Sequence, residues 1–429
     1  MRKSLFIYLT FIFCGLTANA QEPLSLTLKD AQEQALEHNR KLKNASLEIQ
    51  KAEASRWKAL ASMLPQASVK LDYTNFMGYE INFGMMSIPM NPSGNLTAQV
   101  AVALSGAQVM GTQLSEIAMK MAEINRQKTE HELINQVKTL YFSVLIMNET
   151  VALLEQNLEN MRKLHSFTEN SVRVGVADQT DADKLKVQVS TLENSINATK
   201  RSLEMLNNSL RLQMGVDVSQ QIQLTQTVDE LLDVESALQL LKTDFVLDNN
   251  LSYQLLKKST DLSKKQISLN AWSYGPTLSA FYQYTKKTYF GKDEGFNTTP
   301  PNLIGASLSI PIFSSGVNYA KVREAKISYE TQVNTLDDTE EALKIQHSQL
   351  CYNLTSAFES YENQKENVEV NKRILENISK KYEQGMASSL DVTTSGTNLI
   401  AAQSSYVKAL MDVVTAQVAL EELINKGNI

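Results

Sequence analysis

Cysteine, proline and glycine are all scarce in this chain, at 2, 8 and 16 of its 429 residues. With so few breakers, long uninterrupted elements are expected in place of many short ones. Of the two cysteines, Cys14 lies in an apolar leader, so Cys351 stands alone in the rest of the chain and no internal disulfide is available. Packing or the association of copies must then hold the fold. Basic charge is lacking as well. Lys and Arg number 41 against 47 Asp and Glu, a net charge of −6 with pI ≈ 5.5, which argues against a nucleic-acid partner. Beyond the leader there is no run of about eighteen or more apolar residues, so no transmembrane helix is expected, although strands remain a way to meet a membrane.

Catalytic constellations are missing too. His131-Glu132 opens like a zinc-protease helix, but Asn135 stands where the second His must be. His38, His165 and His347 are scattered, and no Gly-rich phosphate loop follows a strand. The residues point to no metal, no cofactor and no enzyme.

What is present begins with the leader. Arg2 and Lys3, an apolar stretch from Leu5 to Leu16, and Ala18-Asn19-Ala20 before Gln21 form the three parts of a signal peptide over residues 1–20. The bulky Phe13 before Cys14 is wrong for lipoprotein processing, so no lipid anchor is expected. The remainder, in a chain 43% hydrophobic with mean hydropathy −0.24, should fold.

Shifted by 210 residues, the chain matches itself. Val174-Gly175-Val176-Ala177 falls on Gln384-Gly385-Met386-Ala387, and Asp181 on Asp391. Beyond each glycine, Ala182, Leu185, Val189, Leu192 and Ile196 advance by alternating steps of three and four, as do Val392, Ser395, Leu399, Ala402 and Tyr406. That is a heptad seam and predicts a coiled-coil-like helix in each half. Upstream, Gly111 to Ser171 and Gly316 to Gln384 contain no internal Pro or Gly, so each reads as one helix of roughly 90 to 100 Å. Two long helices meeting at a Gly turn form an antiparallel hairpin, with tips near 175 and 385. Earlier in each half, helices are expected over Leu36–Leu64 and Val246–Ser273, ending at Pro65 and Pro276.

After each of these prolines the period drops to two. Val69, Leu71 and Tyr73 alternate with Lys70, Asp72 and Thr74, and Leu278, Ala280, Tyr282 and Tyr284 with smaller or polar neighbours. Second strands carry Ala98, Val100, Val102 and Leu104 in one half and Ile304, Ala306, Leu308 and Ile310 in the other. Strands are therefore expected at about 67–76, 97–107, 277–286 and 303–313, with loops over Met77–Asn95 and roughly Lys287–Asn302. The organisation is a repeat over 21–214, a connector over 215–244 with a short helix near Glu230–Lys242, and a second repeat over 245–429. Strands of about ten residues are long enough to cross a bilayer when tilted. Four cannot close on themselves, and an open edge in lipid leaves unsatisfied backbone groups at several kcal/mol each. Copies must share one sheet; three copies would give twelve strands and a lumen wide enough to conduct.

Leu26-Thr27-Leu28-Lys29-Asp30-Ala31 through Ala35-Leu36-Glu37-His38-Asn39, then Ser62-Met63-Leu64-Pro65-Gln66, resembles the opening of the TolC family of bacterial outer-membrane efflux and secretion channels. Ile310-Pro311-Ile312-Phe313 before Gly316 and both Gly-turn segments are similar to family patterns in the expected order, so the resemblance covers Leu24 to Lys426. It implies a mainly α chain with transmembrane β, four strands per protomer in a trimeric twelve-stranded β-barrel, continued by an α-helical barrel through the periplasm. It also implies a passive exit channel of a tripartite efflux or type I secretion system, residing in the outer membrane and passing small molecules or polypeptides. Its partners would be two further copies, outer-membrane lipid, a periplasmic adaptor of the membrane fusion class and an inner-membrane pump of RND or ABC type. The rival from another class is a secreted coiled-coil scaffold or adhesin without a pore.

Site residues follow from the same resemblance. Val174-Gly175-Val176 and Gln384-Gly385-Met386 are candidate adaptor-contact tips; alternatively each Gly is there only for its positive φ. Asp181, Asp183 and Asp391 are candidates for a periplasmic aperture, where rings of carboxylates would favour cations. Helix capping is the competing role for Asp181 and Asp391, and Thr394 occupies the place where the family pattern has a second acid. Tyr73, Tyr282 and Tyr284 are the best-placed candidates for an interfacial aromatic girdle, with core packing the alternative. Thr27 with Asp30 reads as a capping box for the first helix.

Overall fold

The computed structural model describes residues 24–84, 86–232, 234–290 and 299–424. The expected signal peptide, Cys14 and part of the second expected loop lie outside the described residues. In chain order the elements are β1 (Leu24–Leu26), α1 (Leu28–His38), α2 (Arg40–Ala61), β2 (Gln66–Thr74), β3 (Glu80–Phe83), β4 (Met86–Pro89), β5 (Ser93–Ser105), α3 (Gly106–Arg173) and α4 (Gln179–Met214). There follow β6 (Ile222–Leu224), α5 (Val228–Leu231), α6 (Val234–Leu240), α7 (Leu251–Ala271), β7 (Thr277–Tyr289), β8 (Asn302–Ser309), α8 (Val317–Glu383) and α9 (Ser389–Ile424).

Several boundaries differ from the sequence expectation, each for a local reason. The first helix is broken at Asn39, whose extended backbone and side-chain oxygen cap α2 by accepting from the N–H groups of Lys41 at 2.8 Å and Leu42 at 3.3 Å. The loop at 77–95 carries a small hairpin of β3 and β4, and β5 begins at Ser93, inside the expected loop, because its pairing with β7 runs on to Tyr289. Strand β8 stops at Ser309, short of 313, since Pro311 has no N–H for the ladder and restricts Ile310 before it. Helix α3 starts at Gly106, where a Cβ would lie 2.1 Å from the Trp272 ring, so the absent side chain admits that indole.

By spatial contact the chain divides into two units. One comprises residues 24–38, 137–232 and 372–400 among those described. Here β1 pairs in parallel with β6, and buried Tyr141 donates its hydroxyl to the Leu26 carbonyl at 2.9 Å. Burial pushes the Tyr141 phenol above its ordinary pKa. Helix α4 runs antiparallel to the second part of α3. Lys200 meets Glu155 at 2.7 Å and Arg162 meets Glu193 at 2.6 Å, so seven residues along one helix match seven back along the other. Ala182, Leu185 and Leu192 are buried on α4 between these ion pairs and the turn, and Ile196 between the two pairs, as the heptad reading requires.

The second unit comprises 39–136, 234–371 and 401–424 among the described residues, and it holds the main sheet. Its order is β2-β5-β7-β8, all antiparallel. Tyr253, Leu343 and Leu423 are buried together, with Phe245, Leu247, Leu336 and Leu350 against them. One 18-residue window of α3 averages a hydropathy of 1.4, enough by length and composition for a membrane span. Polar residues interleave in α3, which is why a search for an uninterrupted apolar run passes over it; core helices meet the same test.

Candidate functional site

Both helix turns are built by the same device. In the first, the N–H of Gly175 donates to Val172 O at 3.0 Å and that of Val176 to Ser171 O at 2.9 Å. In the second, Gly385 donates to Tyr382 O at 2.9 Å and Met386 to Lys381 O at 2.8 Å. This is the paired closure of a helix C-terminus around a left-handed residue, with φ of 79° at Gly175 and 74° at Gly385. A Cβ at either would meet no atom within 4 Å, so the glycine answers to backbone conformation and not to crowding. Around it Val174 is 74% exposed, Val176 80% and Met386 66%, and Gln384 is exposed as well. Three apolar side chains at two tips are thus left without a core.

The acids past the turns behave differently from one another. Asp391 accepts from the Ser388 N–H at 2.9 Å and hydroxyl at 2.7 Å, while its own N–H donates to the Ser388 hydroxyl at 3.2 Å. That reciprocal box starts α9 and holds the Asp391 carboxyl below the usual carboxylate range. Asp181 instead accepts from the Ser389 hydroxyl of the other hairpin and lies 3.4 Å from Lys184 Nζ. Capping of α4 falls to Asp178, which accepts from Thr180 N–H at 2.7 Å and is likewise held low by Thr180. Asp183 is exposed and accepts from Gln179 Nε2 at 3.0 Å. A second link joins the hairpins: Thr168, fully buried, donates to Leu164 O at 2.9 Å, leaving its oxygen 2.7 Å away to accept from the Tyr382 hydroxyl. Phe167 packs edge-on to the Tyr382 ring at 6.1 Å. Asp178, Ser388, Ser389, Thr168 and Tyr382 escaped the sequence reading. The two caps had a signal, an Asp or Ser three residues before each aspartate; the links are tertiary and had none.

The main sheet carries the other candidate surface. Its register places Val69 beside Ala98 and Tyr284, Leu71 beside Leu96, and Val100 beside Tyr282 and Ile304. Leu104, Leu278 and Leu308 continue that row, so one face is mostly apolar across all four strands, with Lys286 beside Leu96, Thr288 beside Gly94 and Asn302 beside Tyr284 as its polar members toward the loop end. It is also bare: Ile304 is 81% exposed, Leu71 78% and Val69 72%. The opposite face holds Ser68, Lys70, Thr97, Gln99, Ser279, Gln283 and Ser307, with Phe281 lying over Gly305. Strands β2 and β8 are the edges, and beyond them no strand pairs among the described residues. Tyr73, Tyr282 and Tyr284 all stand on the apolar face, at different heights. Tyr73 is level with Gly94 and Thr288 and tilts against the Phe290 ring at 5.9 Å, whereas Tyr284 and Tyr282 lie about 13 and 20 Å further along β7.

Among the described residues no group of three or more His, Cys, Asp and Glu is arranged to hold a metal. Cys351 is half-buried, 3.6 Å from His347 Nε2, and burial pushes its thiol up.

The family model described as outer membrane efflux protein matches residues 31–216 and 244–426. The chain belongs to that family. It is 23% identical over 97% of its length to outer membrane protein TolC of Escherichia coli K12, covering 86% of that protein. It is also 23% identical to cation efflux system protein CusC of Escherichia coli O157:H7, over 73% of this chain and 69% of that one. Among solved structures, CusC superposes with a TM-score of 0.77 at 15% identity, covering 92% of this chain and 91% of the other. The open-state MtrE channel of Neisseria gonorrhoeae gives 0.74 at 15% identity, over 92% and 88%. These superpositions concern the fold.

Proposed function

We propose that three copies join their four-stranded sheets, edge β2 to edge β8, into one twelve-stranded barrel in the outer membrane. The long helices of the three copies then form a second barrel through the periplasm, and the assembly is a passive exit channel. The observation that carries this reading is the main sheet, mostly apolar and bare on one face, mostly polar on the other and unpaired at both edges among the described residues. Apolar residues facing lipid are stabilised, polar ones suit a wet lumen, and closure satisfies every edge group. A pore-free scaffold would have no use for such a sheet. Within this reading the residues 21–214 and 245–429 act as two structural repeats joined by 215–244. Tyr73 lies on the apolar face at the loop end of the strands, where a girdle belongs, and Tyr282 and Tyr284 would face lipid deeper along the same face.

At the other end of the chain's work, Val174, Gly175, Val176, Gln384, Gly385 and Met386 would dock a periplasmic adaptor through their exposed apolar side chains. An inner-membrane pump of RND or ABC type would supply the energy, for a tripartite efflux or type I secretion system. Asp181, Asp183 and Asp391 would line the periplasmic aperture, where the links Asp181 to Ser389 and Thr168 to Tyr382 hold the hairpins together. Single-channel recording of the purified protein in a planar bilayer tests the core of the proposal. Conductance with cation preference is expected, reduced in preference by Asp181→Ala with Asp391→Ala. A protein that is a monodisperse monomer in detergent and never conducts, in the wild type or in variants lacking the hairpin links, sinks it.

A further inference from the structure

The four-stranded sheet contains a ruler for its own continuation. Pro65 and Pro276 precede β2 and β7 at equivalent points of the repeat, 211 positions apart. Gln66 pairs with Ala101 on β5 and Thr277 with Ser309 on β8, so Ala101 and Ser309 are counterparts, 208 positions apart. With both offsets fixed, each pair at the junction of the halves, β5 with β7, has a counterpart between a β8 and a β2. Val100 with Tyr282 becomes Leu308 with Leu71, Ala98 with Tyr284 becomes Ala306 with Tyr73, and Gln99 with Gln283 becomes Ser307 with Asp72. Strands β8 and β2 are the two edges of the sheet, three spacings of roughly 4.8 Å apart, so these residues do not meet within one copy.

Two independent observations fit this register. The first is a stretch of chain that lacks a neighbour. Strand β5 runs past its pairing with β2, and Val102 to Ser105 pair with β7 alone. Their counterparts, Ile310 to Phe313, have no strand beside them among the described residues. Leu104 is 45% exposed where β7 lies beside it, whereas its counterpart Ile312 is 96% exposed. The second is the direction of the free backbone groups. Thr285 N–H donates to Pro301 O and Phe290 N–H to Pro92 O, both at 2.8 Å. Bonded and unbonded pairs alternate along an antiparallel ladder. The odd residues of β8 therefore bond to β7 and the even ones point outward, while on β2 the even residues bond to β5 and the odd ones point outward. Leu308 with Leu71, Ala306 with Tyr73 and Ile310 with Val69 bring two outward-pointing sets together, and the apolar face continues as apolar. A slip of one residue would set bonded groups against free ones and reverse the faces. Pro311 does not interrupt such a ladder, because the N–H it lacks is on the β7 side.

We propose that a second copy of the chain lays its β2 along β8 in this register and thereby extends β8 from Ser309 through Phe313. Ile312 then stands beside Ala67 of the partner subunit and Phe313 beside Gln66 of the partner subunit. On the polar face Ser307 meets Asp72 of the partner subunit and Ser309 meets Lys70 of the partner subunit, so that face is continuous across the seam as well. The proposal rests on the barrel reading and supplies the pairing that this reading leaves open. The strand expected at about 303–313 is complete only in the assembly, since its last four residues find their ladder on the next copy.

The test is disulfide trapping in the full chain carrying Cys351→Ser, expressed in the outer membrane of a bacterial host and oxidised with copper–phenanthroline. Ser307 and Asp72 form a pair without ladder hydrogen bonds, whose Cα atoms lie about 4.5 Å apart, within the span of a disulfide. Ser307→Cys with Asp72→Cys should shift the band on non-reducing denaturing gels from one copy to three, and dithiothreitol should reverse the shift. Ser307→Cys with Lys70→Cys, or with Thr74→Cys, samples a slip of two residues either way. There the Cα atoms are about 8 Å apart and the three-copy band should be lost. Ile312→Cys with Ala67→Cys, a hydrogen-bonded pair at about 5.5 Å, should link as well. Helical circular dichroism of the purified variants checks that they fold. A three-copy band strongest in a slipped pair leaves the ring standing and overturns the register. A link through Ser307 and Asp72 with none through Ile312 and Ala67 ends the strand at Ser309 and overturns the extension. No band from any pair in folded protein overturns the register together with the closure on which it rests.

Discussion

The two helix turns share a backbone and divide on chemistry. Gly175 and Gly385 close their helices by the same pair of hydrogen bonds at nearly the same φ. Ser388 and Asp391 stand where the first turn has Asp178 and Asp181, and the exchange of one residue redirects both carboxylates. With Asp178 capping α4 through Thr180, Asp181 is released from local duty and reaches Ser389 of the other hairpin. With serine at the cap of α9, Asp391 is drawn back into the box with Ser388. The seams diverge in both directions. Leu185, Leu192 and Leu206 correspond to the smaller Ser395, Ala402 and Ala416, and Ala182, Val189 and Ile196 to the larger Val392, Leu399 and Tyr406. Gly396 leaves the least room of all, lying where a Cβ would come 2.5 Å from Met161 Cε. A duplicated hairpin can thus keep its geometry while its halves specialise as lock and keep.

Removing bulk from the first seam should break this division most strongly. Leu185 is fully buried, and Leu185→Ala is expected to lose about 2–5 kcal/mol, read as a lower denaturant midpoint of the helical signal. Ser395→Ala, its counterpart, should change the midpoint little; equal losses would show that the seams are equivalent after all. Next come the glycines, where Gly175→Ala and Gly385→Ala should each lose about 1–2 kcal/mol, because an L side chain resists positive φ. Their losses should match, since neither Cβ meets another atom. Smaller again, Tyr382→Phe should lose about 0.5–1.5 kcal/mol, and Thr168→Val on that background should lose less than it does alone. Strict additivity of the pair would mean that the Thr168 to Tyr382 bond links nothing.

Much of this was legible in the chain and some was not, for physical reasons. Period-two alternation grouped Val69 with Leu71, Val100 with Leu104 and Tyr282 with Tyr284 before any pairing was known, because a residue's side within one strand is set by parity alone; that these groups share a face needed the register. The heptad seam through Ala182, Leu185 and Leu192 likewise follows from local spacing. Asn39 hid a helix break, since asparagine is tolerated in a helical pattern and only its side-chain bonds reveal the cap. Strands β1 and β6 are three residues each, too short to show a period. Gly106 falls inside the strand expected at about 97–107 and instead opens a helix, where its missing side chain admits Trp272. The links across the hairpins pair residues more than 200 positions apart, beyond any spacing rule.

The smallest expected effect separates the two caps by pH. Asp391 is fully exposed, and its carboxyl is held low by the N–H and hydroxyl of Ser388 alone. A folded-state pKa below the unfolded value means that the contribution is complete above the unfolded range near 3.8 and is lost as pH falls through the folded value. Amide protection at the first turn of α9, exchange taken relative to the intrinsic rate at each pH, should therefore fall in acid, and Asp391→Asn should flatten that dependence while leaving the neutral-pH turn close to native. Asp178 carries the same sign at the first turn, but there the carboxylate is itself the cap, accepting from Thr180 N–H, with no serine to hold the helix start once it is protonated. In the second turn Ser388 still accepts from Asp391 N–H after the carboxylate has gone. The first turn should accordingly loosen more than the second on acidification. Loosening of the second turn ahead of the first would mean that the Ser388 box is the weaker device, and the division of labour between the hairpins would have to be drawn the other way.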